Sequence, residues 1–240
     1  FQQAEYCTFA TLNGRVKRVA LREFEAVRPS GLAAISLEDG DELGWVRLTS
    51  GEEELLLVTA GGFALRFDES QVRVMGRQAA GVAGIRLRPG DQVASLEVVE
   101  PGGDLLLVTE QGYGKRASLA EYPQHARAGS GVRTADLKSI TRTGKITAAR
   151  VVQAEDEVTL ISAAGVVLRM RVRDISQQGR ASRGVRLMNV DKGDAVASLA
   201  RLRTADLAAG PLNGGLVERQ GDLIREEQQE SAEDQNHQEE

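Results

Sequence analysis

Leu105-Leu-Leu-Val-Thr109-Glu-Gln-Gly112-Tyr-Gly-Lys-Arg116 reads as a short apolar run, a tight turn and the start of a returning strand, and the chain repeats its skeleton four times. The skeleton is a small hydroxyl residue, two linkers, a glycine, and an arginine four residues later. It recurs as Thr11-Leu-Asn-Gly14-Arg-Val-Lys-Arg18, Thr59-Ala-Gly-Gly62-Phe-Ala-Leu-Arg66, Thr109 to Arg116, and Ser162-Ala-Ala-Gly165-Val-Val-Leu-Arg169. The glycines lie 48, 50 and 53 residues apart, so the chain is an array of repeats.

Outward from this phrase, each repeat reads strand by strand. The runs Leu55 to Thr59, Leu105 to Thr109 and Val158 to Ser162 end just before the turn, the mark of strands buried on both faces. After the turn, Val166-Val-Leu-Arg-Met-Arg-Val172 alternates apolar with basic residues over its last five positions. Alternation at period two puts Arg169 and Arg171 on one exposed face, and the two strands with their turn make a hairpin. A second glycine then opens a third strand at Gly31, Gly81, Gly131 and Gly184, lying 17, 19, 19 and 19 residues after the first. Gly40-Asp41, Gly90-Asp91 and Gly193-Asp194 lead into a fourth strand. The tetrapeptide Val-Ala-Ser-Leu stands in that strand at both 93–96 and 196–199. The third repeat reaches Thr143-Gly144-Lys145 four residues late. Four strands per repeat imply an all-β, propeller-like array, because one such sheet cannot bury its own faces and must stack on neighbours. The expected blades are 5–50, 53–100, 104–153 and 156–203 within a domain spanning 1–204. Residues 205–240 are expected to be a linker and a disordered acidic tail.

The formal net charge of −5 conceals an asymmetry. Glu218 to Glu240 carries nine acids against Arg219 and Arg225, leaving residues 1–217 at +2. Gly112 to Arg150 is +6 and Gly165 to Leu187 is +5, whereas Gly14 to Ser50 balances. A basic flank beside an acidic tail points to a polyanionic partner. The tail, rich in Glu, Gln and Asp, reads as a solubilising segment or as a competitor with that partner for the basic face.

Other chemistries find little support. Neither G-x-G-x-x-G nor G-x-x-x-x-G-K-[ST] occurs. Two histidines, His125 and His237, argue against a histidine-based metal site or catalytic triad. The single Cys7 excludes an internal disulfide, suits a reducing compartment, and reads as a small buried hydrophobe. Acid clusters such as Glu38-Asp-Gly-Asp-Glu42 read as turns, and Trp45 as core. No apolar stretch approaches the ~20 residues of a membrane span. The opening at Phe1, without an initiator Met, reads as the N-terminally truncated end of a longer protein.

Four strings carry a resemblance: Gly61-Gly-Phe-Ala-Leu-Arg-Phe67, Gln111-Gly-Tyr-Gly-Lys-Arg-Ala-Ser-Leu-Ala-Glu-Tyr-Pro123, Gly81-Val-Ala-Gly-Ile-Arg-Leu87 and Ile175-Ser-Gln-Gln-Gly-Arg-Ala-Ser-Arg-Gly-Val185. Over about residues 5 to 203 the chain resembles the C-terminal domain of the DNA gyrase A subunit, part of a bacterial type IIA topoisomerase. The resemblance implies a β-pinwheel of strand-exchanged blades, four visible here where the family typically has six, whose basic rim wraps double-stranded DNA. It also implies a cytoplasmic, nucleoid-associated assembly with the B subunits of gyrase and the core of its A subunits in an A2B2 heterotetramer. ATP, Mg2+ and the strand-cleaving tyrosine would belong to other parts, leaving no cofactor or catalytic residue in this segment. The family's seven-residue box Gln-Arg-Arg-Gly-Gly-Arg/Lys-Gly has no intact copy. Its nearest counterpart is Gln178-Gly-Arg-Ala-Ser-Arg-Gly184, matching at Gln178, Arg180, Arg183 and Gly184. A degenerate box also suits the A-type subunit of topoisomerase IV, and a propeller-like protein-interaction scaffold is the reading from a different class.

Wrapping without regard to sequence needs phosphate contacts repeated along a curved surface. The expected contacts are the phrase arginines Arg18, Arg66, Arg116 and Arg169, with Lys115 and Arg171 beside them. Arg127, Arg133, Arg180, Arg183 and Arg186 join them from the second loop, where glycine lets backbone approach phosphate closely. The expected turn glycines are Gly14, Gly62, Gly112 and Gly165, then Gly31, Gly81, Gly131 and Gly184.

Overall fold

Four consecutive apolar residues in a strand point alternately to two faces, and both faces need cover. In the computed structural model, which describes residues 4–26 and 29–204, neighbouring blades supply it. Strand β1 spans Tyr6–Thr11, β2 Arg15–Ala20, β3 Leu43–Thr49, β4 Glu54–Thr59, β5 Phe63–Asp68, β6 Val82–Ala83, β7 Val93–Val98 and β8 Asp104–Thr109. Then come β9 Tyr113–Ser118, β10 Val132–Arg133, β11 Ile146–Val152, β12 Glu157–Ser162, β13 Val167–Arg171, β14 Val185–Arg186 and β15 Val196–Leu202. On β4, Leu55 and Leu57 pack toward blade one with Ala10 and Val16. Leu56 and Val58 pack toward blade three with Leu105, Leu107 and Ala117. On β8, Leu106 and Val108 face blade four with Val158, Leu160 and Leu199. Each such leucine contributes about 1.5–3 kcal/mol on burial, so the apolar runs are also the joints between blades.

Sheet order corrects the reading of four strands within one repeat and gives the strand exchange that the resemblance implies. The sheets run β3-β1-β2-β6, β10-β5-β4-β7, β11-β8-β9-β14 and β13-β12-β15. The hairpin and the fourth strand of each repeat stay together, but the third strand leaves. Val82–Ala83 pairs with Arg15 and Val16, Val132–Arg133 with Phe63 and Ala64, and Val185–Arg186 with Tyr113 and Gly114. Each repeat therefore completes the sheet of the repeat before it. The expected third strand after Gly31 forms no strand, and blade four has three strands among the described residues.

The strand-exchange loop explains the second glycine. Gly184 has φ +85°, and a Cβ there would lie 2.6 Å from the carbonyl oxygen of Gly114. Its bare backbone presses on β9, so close approach serves strand exchange inside the protein. The four extra residues of repeat three fold into a helical turn, α1 (Ile140–Thr143), ended by Gly144 at φ +76°. The inner strands β3, β7, β11 and β15 stack in that order. This leaves β6, β10 and β14 on the opposite edge of their sheets. The acidic tail expected at 205–240 lies outside the described residues.

Candidate nucleic-acid interface

The arginine of the repeated phrase sits at the strand position that meets the next repeat. The Arg116 backbone amide donates to Ser176 O at 3.0 Å, and its carbonyl accepts from the amide of Gln178 at 2.8 Å. The carbonyls of Arg66 and Arg18 accept in the same way from His125 and Met75, at 2.8 and 2.9 Å. Their side chains turn inward. Arg116 bonds Asp104 at 2.7 Å and the carbonyl of Ile175 at 2.9 Å. Arg66 pairs with Glu54 and reaches the carbonyls of Leu119 and Tyr122. Arg18 is 8% exposed, with Glu69 at 3.8 Å and the Tyr6 ring beneath it at 4.6 Å. The expectation of an outward row is thus corrected for Arg18, Arg66 and Arg116. These side chains fasten each blade to the next, because the exchanged loop must be anchored where it crosses. Arg169 and Arg171 are exposed together, as their alternation implies, and pair with Glu157 and Asp174.

Lys115 requires a second correction. It is 2% exposed, and its ammonium is enclosed by carbonyls of the following loop. It does not stand on the surface.

The second-loop arginines differ from the phrase arginines in charge balance. Arg18, Arg66, Arg116 and Arg169 each have a carboxylate, whereas Arg127, Arg133, Arg180, Arg183 and Arg186 have no ion pair among the described residues. Arg127 and Arg180 are half-buried and act alike. Arg127 donates to the carbonyl of Ala83, and Arg180 to the carbonyl of Arg133 at 2.8 Å. Each ties a loop to the exchanged strand of the previous repeat while leaving its charge uncancelled. Arg133, Arg183 and Arg186 are exposed. Gln178 staples the box-like loop, its Oε1 accepting from the Ser182 hydroxyl at 2.9 Å.

Among the described residues no group of His, Cys, Asp and Glu is arranged to hold a metal ion, and no helix is long and apolar enough to cross a membrane. Cys7 is partly buried, and that burial raises its thiol pKa. Trp45 is partly buried against the core cluster shared by blades one and two.

The profile described as "DNA gyrase C-terminal domain, beta-propeller" matches residues 5–50, 53–100, 103–153 and 156–203, one match for each repeat. The chain belongs to the DNA gyrase C-terminal domain family. The DNA gyrase A subunit of Staphylococcus epidermidis is 43% identical over 206 residues, covering 85% of this chain and 23% of that protein. The DNA gyrase A subunit of Escherichia coli is 44% identical over 202 residues, covering 84% and 23%. The chain therefore spans about a quarter of these relatives. Among solved structures, a DNA gyrase A C-terminal domain superposes with a TM-score of 0.77 at 27% identity, covering 84% of this chain and 67% of that one. A C-terminal domain of DNA topoisomerase IV superposes at 0.79 with 33% identity, covering 84% and 62%.

Within this DNA gyrase C-terminal domain fold, the sequence reading missed the aromatic partners of the rim. Arg186 donates to the Tyr113 hydroxyl at 3.0 Å and lies 4.8 Å from its ring centre. That hydrogen bond lowers the phenol's pKa. Arg88 lies 3.1 Å over Phe63. Stacking holds a guanidinium in place without neutralising it. The available signal was the aromatic residue directly after the phrase glycine, at Phe63 and Tyr113. Exposed Arg86 and Arg88 extend the unneutralised set to the β6 edge.

Proposed function

We propose that this chain binds double-stranded DNA without regard to sequence along the edge formed by β6, β10 and β14, and bends the duplex around it. The observation that carries the reading is the partition of arginines. Those of the repeated phrase are matched by carboxylates, and those on the exchanged segments are left with their charge. Arg86 and Arg88, then Arg133, then Arg183 and Arg186 follow one another over three successive blades. Phosphate contacts in such a series position a duplex and carry no base information. Bending 20–30 base pairs costs on the order of 1–6 kcal/mol, which repeated contacts offset. In the parent protein the wrap serves ATP-dependent negative supercoiling by a gyrase A2B2 assembly in the bacterial cytoplasm. DNA cleavage and the use of ATP and Mg2+ lie outside this segment. The nearness of the topoisomerase IV domain supports a second reading, in which the parent relaxes or decatenates DNA. Assaying the parent assembly for supercoiling against decatenation decides between them.

Gel-shift titration of a duplex across salt tests the binding. Affinity is expected to fall steeply, with a log–log slope of about −0.9 per phosphate contacted. Reversing Arg133, Arg183 and Arg186 to Glu is expected to flatten that slope by ~2.7 and to weaken all duplexes alike. Absence of binding at low salt sinks the DNA reading in favour of a protein-interaction scaffold. Unchanged binding by the triple variant moves DNA to another face.

A further inference from the structure

Lys115 lies on β9 with no carboxylate paired to it among the described residues. Its Nζ donates to the carbonyls of Gly179 at 3.0 Å, Arg180 at 2.6 Å and Ser182 at 2.8 Å, with the Ser182 hydroxyl at 3.2 Å. An ammonium has three protons to donate and no acceptor, so three converging carbonyls of one loop form a matched cage. A buried lysine stands once more at this place, held by two segments in place of one loop. Lys17, in the same place on β2, is fully buried and donates to the carbonyls of Ala34, at 2.8 Å, and Arg77. Arg77 and Arg180 occupy the same position of their loops, four residues before Gly81 and Gly184.

Blades two and four carry Leu65 and Leu168 at this place, so the fold does not require a lysine there. Next to Leu65 the corresponding loop adopts another shape, with Ala128 at φ +62°, a conformation that favours glycine. The lysine therefore selects a loop shape.

We infer that Lys115 is a positioning residue for the proposed DNA surface, its ammonium holding the Gln178–Gly184 loop so that Arg183 and Arg186 face outward while Lys115 itself touches no DNA. This inference rests on the DNA-binding reading above. Burial lowers the Lys115 pKa to about 8, with Glu121 and Asp136 opposing that shift and Arg180 adding to it. The latch thus loses its charge and one of its donors as pH rises through that value.

The test is the Lys115→Leu variant of the full 240-residue chain, carrying the residue that blades two and four already accommodate. Amide exchange is read in the absence of DNA, and binding is read with a duplex of mixed sequence. Exchange at residues 179–184 is expected to accelerate at least tenfold while β8 is unchanged, and duplex affinity to fall by about tenfold, equivalent to ~1.4 kcal/mol. The affinity gap between wild type and variant is expected to narrow from pH 7 to 9.5. Unchanged loop exchange overturns the latch, whatever happens to binding. Weakened binding with unchanged exchange makes Lys115 a direct charge on the DNA. Absence of duplex binding by the wild type, with a loop that loosens in the variant, keeps the latch and sinks the DNA reading. Should the variant not fold, the wild type decides: protection of 179–184 relative to β8 is expected to fall above about pH 8, and constant protection overturns the latch.

Discussion

Val93-Ala-Ser-Leu96 and Val196-Ala-Ser-Leu199 have the same sequence and the same place in their repeats, yet the first is buried throughout and the second exposes Ala197 and Ser198. β7 lies between β3 and β11, whereas β15 stacks on β11. Interior position also makes β7 a junction. The Ser95 hydroxyl bonds Glu97 at 2.8 Å and Ala149 O at 3.0 Å, and Glu97 takes Arg47 from blade one and Arg150 from blade three, each at 2.7 Å. In this protein burial belongs to the neighbour as much as to the strand.

The sharpest way to break that comparison is a charge placed at the matched alanines. Ala94→Glu is expected to destabilise the chain by about 3–5 kcal/mol, because the carboxylate is enclosed without a partner. Ala197→Glu is expected to stay within about 0.5 kcal/mol of wild type. Urea unfolding measures both, and equal effects would mean that β15 is covered as deeply as β7.

A smaller contrast is expected at the phrase arginines. Arg116→Ala removes charged hydrogen bonds from a nearly buried site and is expected to cost about 2–3 kcal/mol. Arg169→Ala, on the exposed face of blade four, is expected to cost less than about 1 kcal/mol. Similar losses would show that the anchoring role extends to a blade with no following repeat among the described residues.

The smallest effect concerns pH. Glu69 occupies the fully buried position that Leu119 and Val172 hold in the next two repeats. Burial, with Glu53 beside it, raises its pKa from the ordinary 4.5 to about 7, because Arg18 at 3.8 Å makes no hydrogen bond that would offset them. A carboxyl whose pKa is raised on folding binds protons more tightly in the native state, so stability declines as pH rises from about 4.5 to about 7. Glu69→Gln is expected to remove this slope in melting temperature, and an unaltered slope assigns it to another group.

Much of this architecture was legible because period-two burial and turn glycines are local properties. Leu105 to Val108 had to be covered on both faces, and Gly112 had to turn the chain, whatever lay nearby. The candidate surface was less legible. Arg116 and Arg186 look equally basic in sequence, but only the fold brings Asp104 to the first and the Tyr113 ring to the second. Lys115 reads as a surface cation because its cage consists of backbone carbonyls some 64 to 67 residues away in the chain, and a carbonyl leaves no mark in composition.

By itself, then, the sequence determined the repeat, the all-β class, the strand alternation and the basic bias of the third and fourth repeats, since spacing, periodicity and charge are properties of the chain. Only the tertiary structure decided which charges remain free. Strand exchange places the loop of a repeat on the preceding blade, and although Asp104 reaches Arg116 from across its own hairpin, the carbonyl of Ile175 that meets Arg116 and the Tyr113 ring that meets Arg186 come from 59 and 73 positions away.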